Sequence, residues 1–146
     1  MEKKTIEQVI AEEGKYICTT SGISMKPLFA DRRDTIIILP AKGRLKKYDV
    51  PLYRRGDEYV LPRIVKVLPD SYVICGDNCE NYEFGISDND VIGFLYAFYR
   101  KNKYYTVEHP LYKFYSFFIV NTFSIRMFFR KFKRFLAKIY KRLLKK

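Results

Sequence analysis

Histidine is nearly missing from this chain of 146 residues: His109 is the only one, so any site built on paired imidazoles is excluded. Cysteine is scarce too. Cys18, Cys75 and Cys79 are an odd number and cannot all pair within the chain. Cys75 and Cys79 have three residues between them rather than two, and no second Cys or His pair accompanies them, so the pattern argues against a zinc site and for buried or idle thiols. Acidic residues stop at Glu108, while ten Lys and Arg residues fall between Arg126 and Lys146. Of the net charge of +12, residues 1–125 therefore carry only +2, and the body of the protein gives no electrostatic reason to invoke nucleic acid. Long apolar runs are also lacking. The best candidate, Phe114 to Ile125, is interrupted by Asn121 and closed by Lys113 and Arg126, well short of the roughly 20 residues that span a bilayer. Nothing at the N-terminus reads as a secretory signal, and no internal repeat or low-complexity linker is present, so the expected location is cytoplasmic, at the periphery of a membrane.

What is present suffices for one globular core: 48% of the residues are apolar. Thr5 to Glu13 carries Ile6, Val9 and Ile10 on one helical face, with Gly14 as a stop. From Lys15 the vocabulary turns to β-branched and aromatic residues. Tyr16–Thr20, Thr35–Leu39, Tyr48–Arg54, Glu58–Val67, Tyr72–Cys75 and Val91–Arg100 read as strands, with Pro69-Asp70-Ser71 as a hairpin turn. The expected fold is mainly β, with a short N-terminal helix and a C-terminal basic amphipathic helix. Residues 1–107 are expected to form the β domain with its N-terminal helix, and 108–146 an aromatic and basic C-terminal helical tail.

In that tail Phe128, Phe132, Phe135, Leu136, Ile139, Leu143 and Leu144 make one stripe at helical spacing among Lys and Arg. Such a helix suits the surface of an anionic membrane, where each near-surface cation adds on the order of 1 kcal/mol. The plainer alternative is a helix packed on its own domain with a solvated charged face. The expected partners are a peptide or precursor protein and an anionic membrane surface through residues 114–146.

The chemistry is suggested by Ser21-Gly22-Ile23-Ser24-Met25-Lys26-Pro27, then Arg63-Ile64-Val65, then Gly76-Asp77-Asn78. A serine hydroxyl is a weak nucleophile that needs a base within hydrogen-bond reach. A glycine two residues before it lets backbone amides approach a developing oxyanion. The ordered set, with the strand Tyr48–Tyr53 and with Val91-Ile92-Gly93, resembles the signal peptidase I and LexA-like serine peptidases over about Ser21 to Arg100. The resemblance implies a coiled antiparallel β fold, a hydrolase with Ser24 as nucleophile, Asp77 as the group that supports the base, and Gly22 and Met25 at the oxyanion turn. Arg63, Gly76 and Asn78 complete the motif, and no cofactor or metal is implied. Gly-Asp-Asn also reads as an ordinary tight turn after a strand.

In that family the residue before the arginine is the Lys or His base. Here it is Pro62, which has no titratable group and no N–H, and which must face outward or sit at a sheet edge. Alternation places Ile64 and Lys66 on the face of Pro62, but the four residues from Pro62 to Lys66 along a strand are about 13 Å, too far for Lys66 to replace the lost group. Lys26 points away as an exposed cation, and His109 would have to fold back across the sheet. The chain thus reads as a serine endopeptidase of signal-peptidase type acting near a membrane with its base position occupied by Pro62. The alternative is an inactive relative that binds peptides there. A small β domain binding nucleic acid through its tail has only charge in its favour and no stacking platform.

Overall fold

A computed structural model describes residues 3–145. The first helix, α1 (Ile6–Glu13), begins at a capping box, in which the Thr5 hydroxyl accepts from the Gln8 amide and the Gln8 side chain accepts from the Thr5 amide. It ends on left-handed Gly14 and places Ile10 in the core.

Nine strands follow: β1 (Tyr16–Thr19), β2 (Thr35–Pro40), β3 (Pro51–Arg55), β4 (Glu58–Val60), β5 (Arg63–Val67), β6 (Tyr72–Cys75), β7 (Glu83–Ile86), β8 (Val91–Arg100) and β9 (Lys103–Thr106). All pairings are antiparallel. The larger sheet runs β1-β2-β8-β3-β4, with β9 paired to the far half of β8, and the smaller runs β5-β6-β7. Bulges at Ile37/Ile38 and Leu52/Tyr53 bend the larger sheet. One core, around Ile36, Ile38, Leu52, Leu95 and Phe98, receives Ile10 from α1 and Met25, Leu28 and Phe29 from the β1–β2 connection. A second, around Tyr53, Ile64, Tyr72 and Ile74, lies on the smaller sheet.

The expected run Glu58–Val67 is two strands that belong to different sheets. The break falls at Leu61-Pro62, where proline has no amide to continue a ladder. Pro62 is buried and leads into β5, the edge strand of the smaller sheet. The expected sharing of a face by Ile64 and Lys66 is also corrected. The register against β6 shifts between them, so Ile64 is fully buried and Lys66 exposed.

The expectation of a mainly β chain is overturned, because helix and strand each account for 31% of the residues. Two helices rather than one fill the C-terminal part: α2 (Pro110–Asn121) and α3 (Phe123–Leu144). The first starts with Pro110 at its opening position and the His109 ring accepting from the Leu111 amide, so the aromatic run that followed was helical despite its strand-like composition. At the junction the Thr122 amide donates to Phe118 O and Arg126 N donates to Thr122 O, but Thr122 itself leaves helical geometry at φ −101°, ψ 9° and separates the two helices. Tyr112, Ser116 and Ile119 of α2 are buried against the body, whereas α3 has no buried residue. No helix among the described residues is long and apolar enough to cross a membrane.

Candidate functional site

The Ser24 turn hangs between β1 and β2 on a set of local bonds. The Thr20 amide donates to Asp34 O at 2.8 Å and its hydroxyl to Ala30 O at 2.7 Å, while Arg32 N donates back to Thr20 O at 2.8 Å. Gly22 has φ +84°, a conformation L side chains rarely adopt, and its amide donates to Asp31 Oδ1 at 2.7 Å. The chain then turns through Ser24 to Leu28, across a cis Lys26–Pro27 peptide, with Phe29 N donating to Met25 O at 3.0 Å. Met25, Leu28 and Phe29 plug into the core and leave Ser24 half-buried at the surface.

Asp34, fully buried, anchors the far end of this loop. Its carboxylate accepts from Arg33 Nε and Nη2 at 2.9 and 2.8 Å, from Ala30 N at 2.9 Å and from Lys101 N at 3.3 Å. Burial opposes its charge, but these donors more than offset that and hold its pKa below the ordinary carboxylate value.

Gly76-Asp77-Asn78 packs directly onto the Ser24 turn, uniting two motifs some fifty residues apart. Asn78 N donates to Ser24 O at 2.8 Å and Asn78 Nδ2 to Ile23 O at 3.1 Å. A Cβ on Gly76 would stand 2.7 Å from Ser24 O, 2.7 Å from Cys79 Sγ and 3.3 Å from Ser24 Cβ, so only glycine permits this approach. Arg63 and Cys75 are the end pair of the β5–β6 ladder, so Pro62, the base position of the resemblance, and Gly76, which touches Ser24, both adjoin that end of the smaller sheet.

Asp77 does not face Ser24 with a free oxygen. Its Oδ1 accepts from Arg63 Nε at 2.7 Å, and its Oδ2 accepts from Arg63 Nη2 at 2.8 Å and from the Tyr115 hydroxyl at 2.8 Å. Both side chains of the pair are 1% exposed. The remaining Arg63 nitrogen, Nη1, donates to Tyr48 O, the Tyr112 hydroxyl and the Ser116 hydroxyl. Burial works against the guanidinium, yet the Asp77 charge and hydrogen bonds keep its pKa raised. Burial, reinforced by Asp77, likewise pushes the Tyr115 phenol up. Three of these partners come from α2, which sequence reasoning assigned to the tail. Their i, i+3, i+4 spacing was the available signal.

The C-terminal helix clamps the same turn from outside. Arg126 Nη1 donates to Asp77 O at 3.0 Å, Arg130 donates to Asn78 O and Oδ1 at 3.1 and 2.8 Å, and Arg134 pairs with Glu80.

Beside Ser24 lies a cavity of about 280 Å³, walled by apolar side chains including Ile36, Leu52 and Leu61. It is lined from both outer strands of the larger sheet, by Tyr16 and Cys18 of β1 and by Tyr59 and Val60 of β4. Neither the Ser24 nor the Met25 amide has a backbone acceptor among the described residues, and both residues line this cavity. What the arrangement lacks is a proton acceptor. Lys26 and Lys66 are exposed, His109 caps α2, and no described side chain hydrogen-bonds the Ser24 hydroxyl. Among the described residues no group of three His, Cys, Asp or Glu side chains could hold a metal ion. Comparison of the chain with protein-family models, curated proteins and solved structures found no match.

Proposed function

We propose that the chain is a non-hydrolytic relative of the signal-peptidase and LexA-like serine peptidases that holds an extended peptide in the groove beside Ser24. The observation that carries this reading is a Ser24 turn braced by Gly76 and Asn78 with no base beside it: Pro62 has no titratable group, and Asp77 is consumed by Arg63 and Tyr115. A peptide would enter between β1 and β4 as an added strand, seat an apolar side chain in the cavity, and aim a carbonyl at the Ser24 and Met25 amides. Without a group to take its proton the hydroxyl does not attack, and the remaining amides supply only the residual catalysis, about 10³-fold over water, that such sites keep when their triad is broken.

The second reading is an active endopeptidase of signal-peptidase type, favoured by the close fit of Gly76 and Asn78 on the Ser24 turn. A peptide library incubated with the chain as it stands, with Pro62→His and with Ser24→Ala separates the two. The proposal expects cleavage only by Pro62→His, with the same apolar peptides retained by the unaltered chain. Cleavage by the unaltered chain that Ser24→Ala abolishes overturns it in favour of the second reading, and absence of peptide retention overturns it outright.

A further inference from the structure

An amphipathic helix ordinarily packs its apolar face on the core and gives its charges to water. In this protein α3 is mounted the other way round. Beyond Phe123, which stacks on Tyr82 at the start of the helix, the side chains that bond it to the body are Arg126, Arg130 and Arg134, on the Asp77 and Asn78 carbonyls and on Glu80. The apolar stripe, Ile125, Phe128, Phe132, Phe135, Ile139 and Leu143, lies on the opposite side and is between 39 and 67% exposed. Leu111, Phe114, Phe117 and Phe118 of α2 are exposed as well. The body thus leaves aromatic and aliphatic side chains uncovered on both helices.

We propose that this surface docks the protein on an anionic lipid bilayer, with both helices lying in the interface and the globular body on its water side. The choice of occupant follows from charge. At 3.6 residues per turn Lys131 and Arg142 fall along one border of the stripe and Lys133 along the other, where long cationic side chains reach headgroup phosphates while their stems stay on the apolar surface. The alternating three- and four-residue spacing would also suit a second copy of the chain. Two copies, however, would bring together ten cations each from Arg126 onward with no carboxylate on either helix to pair them. Nucleic acid would engage the cations and leave the phenylalanines in water. This docking is independent of the peptide groove, and neither stands or falls with the other.

The test is cosedimentation of the full chain with vesicles of phosphatidylcholine alone and with one quarter phosphatidylglycerol, at low and high salt. The expected result is binding to the anionic vesicles at least about tenfold tighter than to neutral ones and weakened by salt. Phe128→Ser/Phe132→Ser/Phe135→Ser should lose about tenfold or more, with circular dichroism and melting unchanged because all three side chains are already exposed. Lys131→Glu/Lys133→Glu/Lys138→Glu should abolish the preference for anionic lipid. Equal binding of the serine variant overturns the proposal and assigns the surface to a purely electrostatic partner. A chain that ignores vesicles, and forms a dimer which the serine variant dissolves, overturns it in favour of a second copy.

Discussion

Replacing Asp77 by alanine tests whether that carboxylate is structural. The substitution leaves the Arg63 guanidinium buried with only the Tyr48 carbonyl and two hydroxyls for company. Two charge-assisted bonds vanish, together with the bond from Tyr115. Removing one partner of a buried ion pair costs about 3–5 kcal/mol, because the other charge remains without compensation. For a chain of this size about 1 kcal/mol corresponds to about 3 °C, so the melting temperature should fall by about 10–15 °C. Urea unfolding should give a lower midpoint with an unchanged slope. The double variant Arg63→Met/Asp77→Leu removes both charges and should recover most of the loss, since apolar residues of similar volume replace buried pairs at little cost. A loss under about 1 kcal/mol for Asp77→Ala, or a double variant no more stable than the single one, would refute the reasoning. Asp77 would then be free to orient a catalytic group instead.

Gly76→Ala should destabilise by about 1–3 kcal/mol in urea titration. Adding Cys79→Ala should restore little of this, because the Ser24 carbonyl, 2.7 Å from the new Cβ, is backbone and stays. Asp34 has a lowered folded pKa, so its stabilisation is present above the ordinary carboxylate value near 3.8 and is lost as pH falls through the lower folded value. The stability gap between the unaltered chain and Asp34→Asn, measured from pH 7 down to 2, should accordingly be constant near neutrality and close below about pH 4. Burial, followed by the neighbouring Cys79, pushes the Cys75 thiol up to about 12. Peptide mapping by mass spectrometry should therefore find Cys75 unalkylated after iodoacetamide treatment of the native protein at pH 8, and alkylated once urea unfolds it.

The parts of the fold that could be read in advance are those fixed by neighbours in the chain. The helical spacing of Ile6, Val9 and Ile10, the stop at Gly14 and the Pro69-Asp70-Ser71 turn act within a few residues of themselves, and α1 and the β5–β6 hairpin stand where they indicated. Strand β9 escaped notice because the turn before it uses Lys101 and Asn102 at positive φ rather than glycine. That the C-terminal part holds two helices rather than one was hidden by an α2 composition rich in Phe and Tyr, although Pro110 marked its start. For the site, Ser24, Gly76 and Asn78 were picked out as a set, but not that Asn78 would hold the Ser24 carbonyl, which depends on how two sheets meet. The binding of Asp77 by Arg63 and Tyr115 was equally out of reach, since it joins three segments through tertiary packing alone.

The inverted mounting of α3 also governs how the protein behaves when no membrane is present. The body leaves the stripe uncovered in this structure, so in this conformation no internal latch has to open before it can meet a partner. Two such stripes would be held apart by the mutual repulsion of the cations along the same helix, which acts over only about 10 Å at 0.1 M salt and about 3 Å at 1 M. Adding salt, the usual remedy for a basic protein that sticks, removes that protection and strengthens apolar contact. Concentrated stocks should accordingly stay monomeric in dilute buffer and associate as the ionic strength rises.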